Sequence, residues 1–228
     1  MTGVVDLERA LGYPYPRPAG SFVVDARHGT WRPLDVAALD ASDRSAVLAI
    51  GSNAAPEQLR RKWADQAVDA TVPVIAVDLV DHDVAYAAAI AHYGSVPATL
   101  VESRGTRAKV HVTLLLPDQL ALMDRTEGVH VGAYERVEVA AALVDAPVAL
   151  PHPLMAYVSG AGPLSVAHEP VAIAEIEATG RRLEARTQRE VLSMLAAATG
   201  VGLDAFVEAV VGDGAYRRSV AARLRDGI

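Results

Sequence analysis

A glycine-serine-asparagine turn stands between two segments that predict different secondary structure. Residues 46–50 have the apolar composition of a buried strand, and Pro56 fits the first turn of a helix, where its missing N–H is no loss. The intervening Gly51, Ser52 and Asn53 would expose backbone N–H groups at a helix N-terminus, where a carboxylate or an oxyanion can bind. Because the same tripeptide is common in ordinary turns, the motif alone also fits a purely structural role.

Glu127 is the residue whose position best suits acid or base chemistry. It precedes Gly128 at the point where a helix spanning residues 117–126 is predicted to end. The C-terminal end of a helix dipole favours cations, so a carboxylate there is slightly unfavourable unless it is used. A solvent-exposed helix end is the alternative interpretation. Gly132 and Tyr134 follow, at the start of the next predicted strand.

Other kinds of catalytic or metal site find little support in the residues. Ser52 lacks the second glycine of a Gly-x-Ser-x-Gly nucleophile elbow, and no histidine is tied to it by spacing. The seven histidines show no i, i+4 pair, so no metal site is predicted. The chain has no cysteine, which excludes disulfides, thiolate metal ligands and a cysteine nucleophile. Gly160 and Gly162 precede no predicted helix and are typical of a turn rather than of a nucleotide loop.

Short runs rich in Val and Ile, bounded by Gly, Pro and Asp, predict the strands that position these residues. The predicted strands are residues 46–50, 72–77, 84–90, 96–101, 108–116, 133–140 and 154–158. Helices are predicted at residues 56–64 and 117–126, and again after Pro170. The pattern predicts an α+β fold with a mixed, strongly curved, barrel-like sheet of about six to seven short strands, flanking helices and a C-terminal helical extension.

The chain is predicted to divide into three parts. Residues 1–45 form an N-terminal arm, in which the prolines of residues 13–18 exclude a helix and the tyrosines pack on the core; residues 46–160 form the core, and residues 161–228 form the helical extension. In the extension, Thr187 and Glu190 have the spacing of a helix capping box. Four arginines there are predicted to lie on a solvated helix face with glutamate partners, namely Arg181, Arg182, Arg186 and Arg189 with Glu184 and Glu190.

The composition limits the classes of partner. Hydrophobic residues make up 51% of the chain and aromatic residues 5%, so the core must be filled by Ala, Val and Leu. A net charge of −7, with Lys62 and Lys109 as the only lysines, argues against a nucleic-acid binder. The start of the chain has no secretory pattern and no apolar run is long enough to span a bilayer, so we predict a cytoplasmic protein without membrane association.

Three motifs in a fixed order resemble the gamma-glutamylcyclotransferase-like family. They are the strand followed by Gly-Ser-Asn, the segment Gly94-Ser95-Val96-Pro97-Ala98-Thr99, and the segment Leu122 to Val129 followed by Gly132 and Tyr134. The resemblance covers residues 46–158. It implies that Ile50, Gly51, Ser52, Asn53 and Tyr134 bind the substrate and that Glu127 is the general acid and base.

The family resemblance also implies a reaction. A gamma-glutamyl compound cyclises when its own α-amine attacks its γ-carbonyl, which releases an amine or amino acid and 5-oxoproline without cofactor or metal. Such a transferase should tolerate Glu127→Gln with little change in stability while losing turnover. Two departures stand out: Ile50 replaces the family's tyrosine, and residues 160–163 replace a closing Pro-Ser-x-x-Tyr stretch. They favour either an altered substrate or the alternative function, that of a catalytically idle member that binds a small metabolite or a partner.

Overall fold

Two long antiparallel strands run through the centre of the sheet. The computed structural model describes residues 7–227, and in it the strand Thr71–Tyr86 pairs with the strand Ala98–Leu115 along nearly its whole length. Both strands are rich in β-branched residues, which pack well on a pleated surface. Residues 1–6 of the predicted arm and Ile228 at the end of the predicted extension lie outside the described residues.

The secondary structure confirms the α+β class. The strands are β1 (Phe22–Asp25), β2 (Thr30–Pro33), β3 (Ser45–Ala49), β4 (Thr71–Tyr86), β5 (Ala98–Leu115), β6 (Tyr134–Glu138), β7 (Val144–Asp145), β8 (Leu154–Ser159), β9 (Ser165–Val166), β10 (Glu169–Pro170), β11 (Ala172–Ile173), β12 (Ala178–Thr179) and β13 (Ala185–Arg186). The α-helices of the described residues are α1 (Leu7–Leu11), α2 (Pro56–Trp63), α3 (Pro117–Thr126), α4 (Gln188–Ala198), α5 (Leu203–Gly212) and α6 (Gly214–Leu224).

Eleven of these strands form one large mixed sheet. Its main order is β13-β11-β4-β5-β3-β8-β6, with β3 and β8 parallel and most other pairs antiparallel. The edge strands β13 and β6 do not pair with each other within residues 7–227, so the sheet is open. The prediction of a strongly curved, barrel-like sheet is therefore wrong, and six to seven strands is too few. A barrel needs its two edge strands to meet.

Four of the predicted short strands are halves of β4 and β5. The register between these two strands shifts between Val80 and His82. At this point Asp81 has a φ of 56°, and its carboxylate accepts a hydrogen bond from the Gly105 N–H at 2.7 Å. The feature is a bulge within a continuous ribbon. Because bulges use the same Asp and Gly residues as turns, the sequence pattern suggested strand ends here.

Helices pack on both faces of the sheet. Successive residues of β3 face opposite sides, because Ala46 and Leu48 belong to one buried cluster and Val47 and Ala49 to the other. Side chains of α2 and α3 join the second cluster. Side chains of α1, α4, α5 and α6 join the first cluster. The residues of the candidate site lie at the C-terminal ends of β3 and α3, two elements that pack against each other through the second cluster.

The predicted helix boundaries are largely confirmed. α2 begins at Pro56 and α3 spans Pro117–Thr126, as the proline positions indicated. α4 begins with the predicted capping box, in which the Glu190 N–H donates to Thr187 Oγ1 at 3.3 Å and the Thr187 N–H donates to Glu190 Oε2 at 2.7 Å.

The predicted helical face of arginines in the extension is wrong, although Arg186 does pair with Glu184, at 2.8 Å. α4 begins only at Gln188, so Arg181 and Arg186 do not lie on a helix. Arg181 instead forms two hydrogen bonds of 2.8 Å with Asp83 of β4, a residue that is completely buried. Spacing within the segment suggested local glutamate partners, whereas a buried carboxylate 98 residues away is the stronger partner.

No single helix among the described residues is both long and apolar enough to cross a membrane.

Candidate active site

The loop that contains Gly51, Ser52 and Asn53 joins β3 to α2. Residues Ser52–Ala54 form one 3₁₀ turn, and α2 begins at Pro56. The predicted order of strand, turn and helix is confirmed. The whole loop lines a cavity of about 880 Å³, together with Ile50 and Tyr134. All five residues predicted to bind a substrate therefore surround one cavity.

Glu127 lines the same cavity. It follows α3, and its side chain is only 13% exposed, so it is not a solvent-exposed helix end. Its Oε1 atom accepts a hydrogen bond from Asn53 Nδ2 at 3.1 Å. The two sequence motifs, although 74 residues apart, are thus joined by a direct side-chain contact.

Lys62 completes this cluster, and sequence reasoning missed it. Its ammonium donates to Glu127 Oε1 and to Asn53 Oδ1, the latter at 2.8 Å, and lies 3.3 Å from Met123 Sδ. The side chain is 8% exposed. A buried lysine needs a counter-charge, so Glu127 and Lys62 depend on each other. One signal was present: Lys62 is one of two lysines in the chain and lies on the first helix after the loop.

Lys62 changes the expected effect of Glu127→Gln on stability. Sequence patterns indicate no partner for Glu127, so the sequence alone predicts that the substitution leaves the free energy of unfolding nearly unchanged. In the structure a neutral glutamine would leave the Lys62 ammonium buried without its counter-ion. We now expect the substitution to destabilise the protein as well, by about 1–3 kcal/mol.

Tyr13 reaches the loop from the N-terminal arm. Its hydroxyl accepts a hydrogen bond from the Ala98 N–H at 2.8 Å, and a Cβ atom on residue 51 would overlap this hydroxyl. Only glycine fits at position 51 beneath the ring. Burial raises the pKa of Tyr13 well above its usual value, so the hydroxyl stays protonated. Tyr13 is also part of the cavity wall. It brings a phenol hydroxyl to the loop, where Ile50 stands in place of the tyrosine of the resembled family.

Two more tyrosines, Tyr134 and Tyr157, line the cavity. The Tyr134 hydroxyl donates to the Ala98 carbonyl at 3.4 Å, and burial raises the pKa of Tyr134 well above its usual value. The Tyr157 hydroxyl donates to Asp124 Oδ1 at 2.6 Å, and Arg136 donates to Oδ2 of the same carboxylate at 2.7 Å. Burial, followed by this hydrogen bond, raises the pKa of Tyr157. Asp124 precedes Glu127 by three residues, so these contacts fix the end of α3.

The charges that line the cavity are mostly positive, although the chain as a whole is acidic. Its wall contains four arginines and one lysine, namely Arg9, Arg61, Lys62, Arg125 and Arg225, and Glu127 is the one carboxylate among the described lining residues. Tyr93, Gly160 and Ala161 also line the cavity. The cavity is suited to a ligand with negative charge.

Within the described part of the chain, no group of three or more His, Asp or Glu side chains could hold a metal ion. The polar groups that line the cavity are a carboxylate, an ammonium, guanidinium groups, the His92 imidazole, hydroxyls and the backbone groups of the loop.

Comparisons with known proteins identify similar folds over part of this chain. No family model matches the chain, and no curated protein matches it. The crystal structure of the uncharacterized human protein loc79017 is 19% identical, covers 52% of this chain and 68% of its own, and has a TM-score of 0.42. A gamma-glutamyl cyclotransferase structure is 18% identical, with 51% and 66% covered and a TM-score of 0.41. The solution structure of At5g39720.1 from Arabidopsis thaliana is 17% identical, with 53% and 72% covered and a TM-score of 0.38.

Proposed function

We propose that the cavity is the active site of a cytoplasmic enzyme that cyclises a gamma-glutamyl compound. The α-amine of the substrate attacks its own γ-carbonyl, the bond to the leaving nitrogen breaks, and 5-oxoproline and an amine or amino acid are formed. The observation that carries the proposal is the contact between the Glu127 carboxylate and the Gly-Ser-Asn loop in one cavity. The three sequence motifs that resemble the gamma-glutamylcyclotransferase-like family support the same reaction.

Glu127 would perform both proton transfers. Its carboxylate removes a proton from the α-ammonium of the substrate, which frees the amine for attack. The same proton then passes to the leaving nitrogen when the carbon–nitrogen bond breaks, so no proton is gained or lost overall. Because the amine and the carbonyl belong to one molecule, holding them close supplies a large part of the rate, up to about 7–11 kcal/mol of the barrier.

The Gly51-Ser52-Asn53 loop would bind the negative charge that develops on the carbonyl oxygen. Backbone N–H groups that precede the start of α2 are suited to this task, since they are fixed before the reaction and the N-terminal end of a helix favours negative charge. Lys62 holds Asn53 and Glu127 in register and adds positive charge at the same place. The protonated hydroxyls of Tyr13 and Tyr134 provide further neutral polar groups in the wall.

The test is release of 5-oxoproline from a panel of gamma-glutamyl amino acids and amines. Glu127→Gln should lower turnover by roughly 10² to 10⁴, the range of a lost general acid or base. Glu135→Gln is the matched control, because Glu135 is an exposed carboxylate of β6 outside the cavity and its loss should leave turnover unchanged. Undiminished turnover in Glu127→Gln would remove Glu127 from the mechanism.

One observation favours a second function. Glu127 Oε1 is already held by an ammonium and an amide, and such a carboxylate can act as a structural link between α2 and α3. The cavity would then bind a small anionic metabolite without turning it over. Ligand binding that raises the unfolding temperature, combined with no 5-oxoproline from any compound of the panel, would establish this alternative.

A further inference from the structure

A second cavity, here called the arm cavity, lies beneath the N-terminal arm. It has a volume of about 870 Å³, and its walls include residues 14–21 of the arm, residues 76–78 of β4 and residues 109–111 of β5. Among the described residues it shares no lining residue with the candidate active site. The same stretch of arm serves both, because Tyr13 lines the candidate active site and its neighbour Pro14 lines the arm cavity.

His111 offers the arm cavity a hydrogen-bond acceptor. The residue is 4% exposed, and burial lowers its pKa to about 4, so the ring is neutral near pH 7. Its Nε2 atom lies 3.1 Å from the Pro18 carbonyl oxygen, which can only accept, so Nε2 carries the hydrogen and Nδ1 keeps a lone pair.

Nδ1 of His111 lacks a partner in the chain. The atom is buried and has no hydrogen-bond partner among residues 7–227. The Gly20 carbonyl, which also lies near the ring, is an acceptor and cannot fill this place. The edge-on contact with Phe22 fixes the ring. A buried polar atom without a partner is unusual in proteins, and the group that would satisfy this one is an N–H or O–H donor.

Arg17 offers a positive charge to the same cavity. It immediately precedes Pro18, whose carbonyl binds His111, so both groups belong to one stretch of the wall. Burial lowers the pKa of Arg17, and the guanidinium forms no ion pair with any residue of the described chain. Arginine binds carboxylates through directed hydrogen bonds, so a carboxylate is the group that would compensate this charge.

The other residues of the arm cavity limit its ligand to a single negative charge. Four carboxylates line it and each already has a partner: Asp78 and Asp145 bind Arg107, Glu177 pairs with Lys109, and Glu175 accepts the Gln188 N–H. They would repel a ligand with several negative charges. Four prolines and two valines supply apolar surface, namely Pro14, Pro16, Pro18, Pro147, Val77 and Val110.

We propose that the arm cavity is a second ligand site, and that its ligand is a monocarboxylate with an apolar body and an N–H or O–H donor. The carboxylate pairs with Arg17, the donor binds His111 Nδ1, and the apolar body lies against the prolines. The inference goes beyond the cyclisation proposed above and does not depend on it, since neither Arg17 nor His111 lines the candidate active site.

Three compounds of nearly equal size test this site. Mandelate carries a carboxylate, a hydroxyl on the next carbon atom and a phenyl ring; phenylacetate lacks the hydroxyl, and mandelamide lacks the charge. Titration calorimetry measures the affinity of each compound for the wild-type protein. Mandelate should bind more tightly than either of the others by about tenfold or more, because each of them leaves one buried group of the protein unpaired. This comparison needs no variant.

Two substitutions locate the binding of mandelate. Arg17→Met should remove the preference for mandelate over mandelamide, and His111→Gln, which keeps a donor for the Pro18 carbonyl, should remove the preference over phenylacetate. Arg27→Met is the matched control, because Arg27 is an exposed arginine of the arm outside this cavity. Arg125→Met removes a cation from the candidate active site only. Both controls should bind mandelate as the wild-type protein does, and the unfolding temperature reports whether each variant is folded.

Equal affinity for the three compounds, or no binding of mandelate to the wild-type protein, would overturn the proposal. A loss of mandelate binding in Arg125→Met without any loss in Arg17→Met would also overturn it, because the compound would then bind in the candidate active site. None of these results bears on the release of 5-oxoproline, so the second ligand site and the cyclisation are accepted or rejected separately.

Discussion

At the scale of single residues, the ion pair between Lys62 and Glu127 determines how the site responds to mutation. Both side chains are largely removed from water, so each ion would be strongly unfavourable without the other. Asn53 binds both partners and fixes their orientation. The candidate chemistry and the local stability therefore depend on the same few atoms, and a loss of activity in a single variant has to be compared with its stability.

Lys62→Met should lower the free energy of unfolding by about 2–4 kcal/mol, because it leaves the Glu127 carboxylate buried without its cation. The double variant Lys62→Met, Glu127→Gln should recover much of this loss, since no charge then remains unpaired. Urea unfolding measures both. Lys109→Met is the matched control, because the pair between Lys109 and Glu177 is exposed and should contribute less than about 1 kcal/mol.

The double variant also separates the two roles of the ion pair. If it is stable yet releases no 5-oxoproline, the Lys62–Glu127 pair is needed for turnover and not only for folding. A double variant as unstable as Lys62→Met alone would show that the ion pair is not the source of the loss.

At the scale of elements, the N-terminal arm is held to the sheet by a buried histidine. The His111 Nε2 atom of β5 lies 3.1 Å from the Pro18 carbonyl oxygen. Because a carbonyl oxygen only accepts hydrogen bonds, Nε2 carries a hydrogen and donates it to this bond. The ring also packs edge-on against Phe22 of β1. Burial, followed by the charge of Arg17, lowers the pKa of His111 to about 4. The arm is thus attached through a neutral imidazole.

This imidazole should make stability depend on pH. The unfolded chain takes up a proton on His111 near pH 6.5, whereas the folded protein does so only near pH 4. Between these values the unfolded state binds more protons, so stability falls as the pH is lowered, by about 3 kcal/mol in total, and levels off below pH 4. Urea unfolding from pH 4 to 8 measures the slope. His111→Gln should flatten it, whereas the same change at the exposed His130 should not.

Prediction from sequence succeeded where the signals are local. Prolines marked the starts of α2 and α3, and the order of strand, Gly-Ser-Asn turn and helix was readable from adjacent residues. The resemblance of three motifs then selected Glu127 and the loop, which the structure brings to one cavity. Whether Glu127 is catalytic stays a prediction.

Prediction failed where the deciding contact is distant in the chain. The bulge at Asp81 depends on Gly105, and nothing near Asp81 shows that its strand continues. Lys62 and Tyr13 were not assigned to the site from the sequence, because their partners lie 65 and 85 residues away. Local spacing carries no information about such partners.

At the scale of the whole molecule, a second buried ion pair fastens the C-terminal segment to the sheet. Asp83 of β4 is fully buried, and Arg181 binds both of its oxygens as well as the Ile176 carbonyl at 2.9 Å. The pair joins the central ribbon to the segment that leads into the helices α4 to α6. Removing one partner of this pair would leave the other charge buried, which should weaken the packing of the C-terminal helices against the sheet.

Asp83→Asn should therefore destabilise the protein by about 3 kcal/mol or more, since the Arg181 guanidinium stays buried beside a neutral amide. Thermal unfolding followed by circular dichroism measures the change. Asp145→Asn provides the comparison, because Asp145 pairs with Arg107 at the exposed surface and its loss should cost less than about 1 kcal/mol. Similar losses in the two variants would show that burial of the Asp83 pair has no special effect.

The way in which the cavity is assembled has a consequence for how the protein folds. Its walls are joined by contacts between residues 65, 74 and 85 positions apart, from Lys62 to Glu127, from Asn53 to Glu127 and from Tyr13 to Ala98. Closing loops of this length costs chain entropy before any contact is gained, so such contacts form slowly. Helices and the β4–β5 ribbon can form earlier from nearer neighbours. A ligand that binds only the finished cavity is therefore a probe of the last steps of folding, and a nascent chain that stops before residue 127 has no binding site to offer.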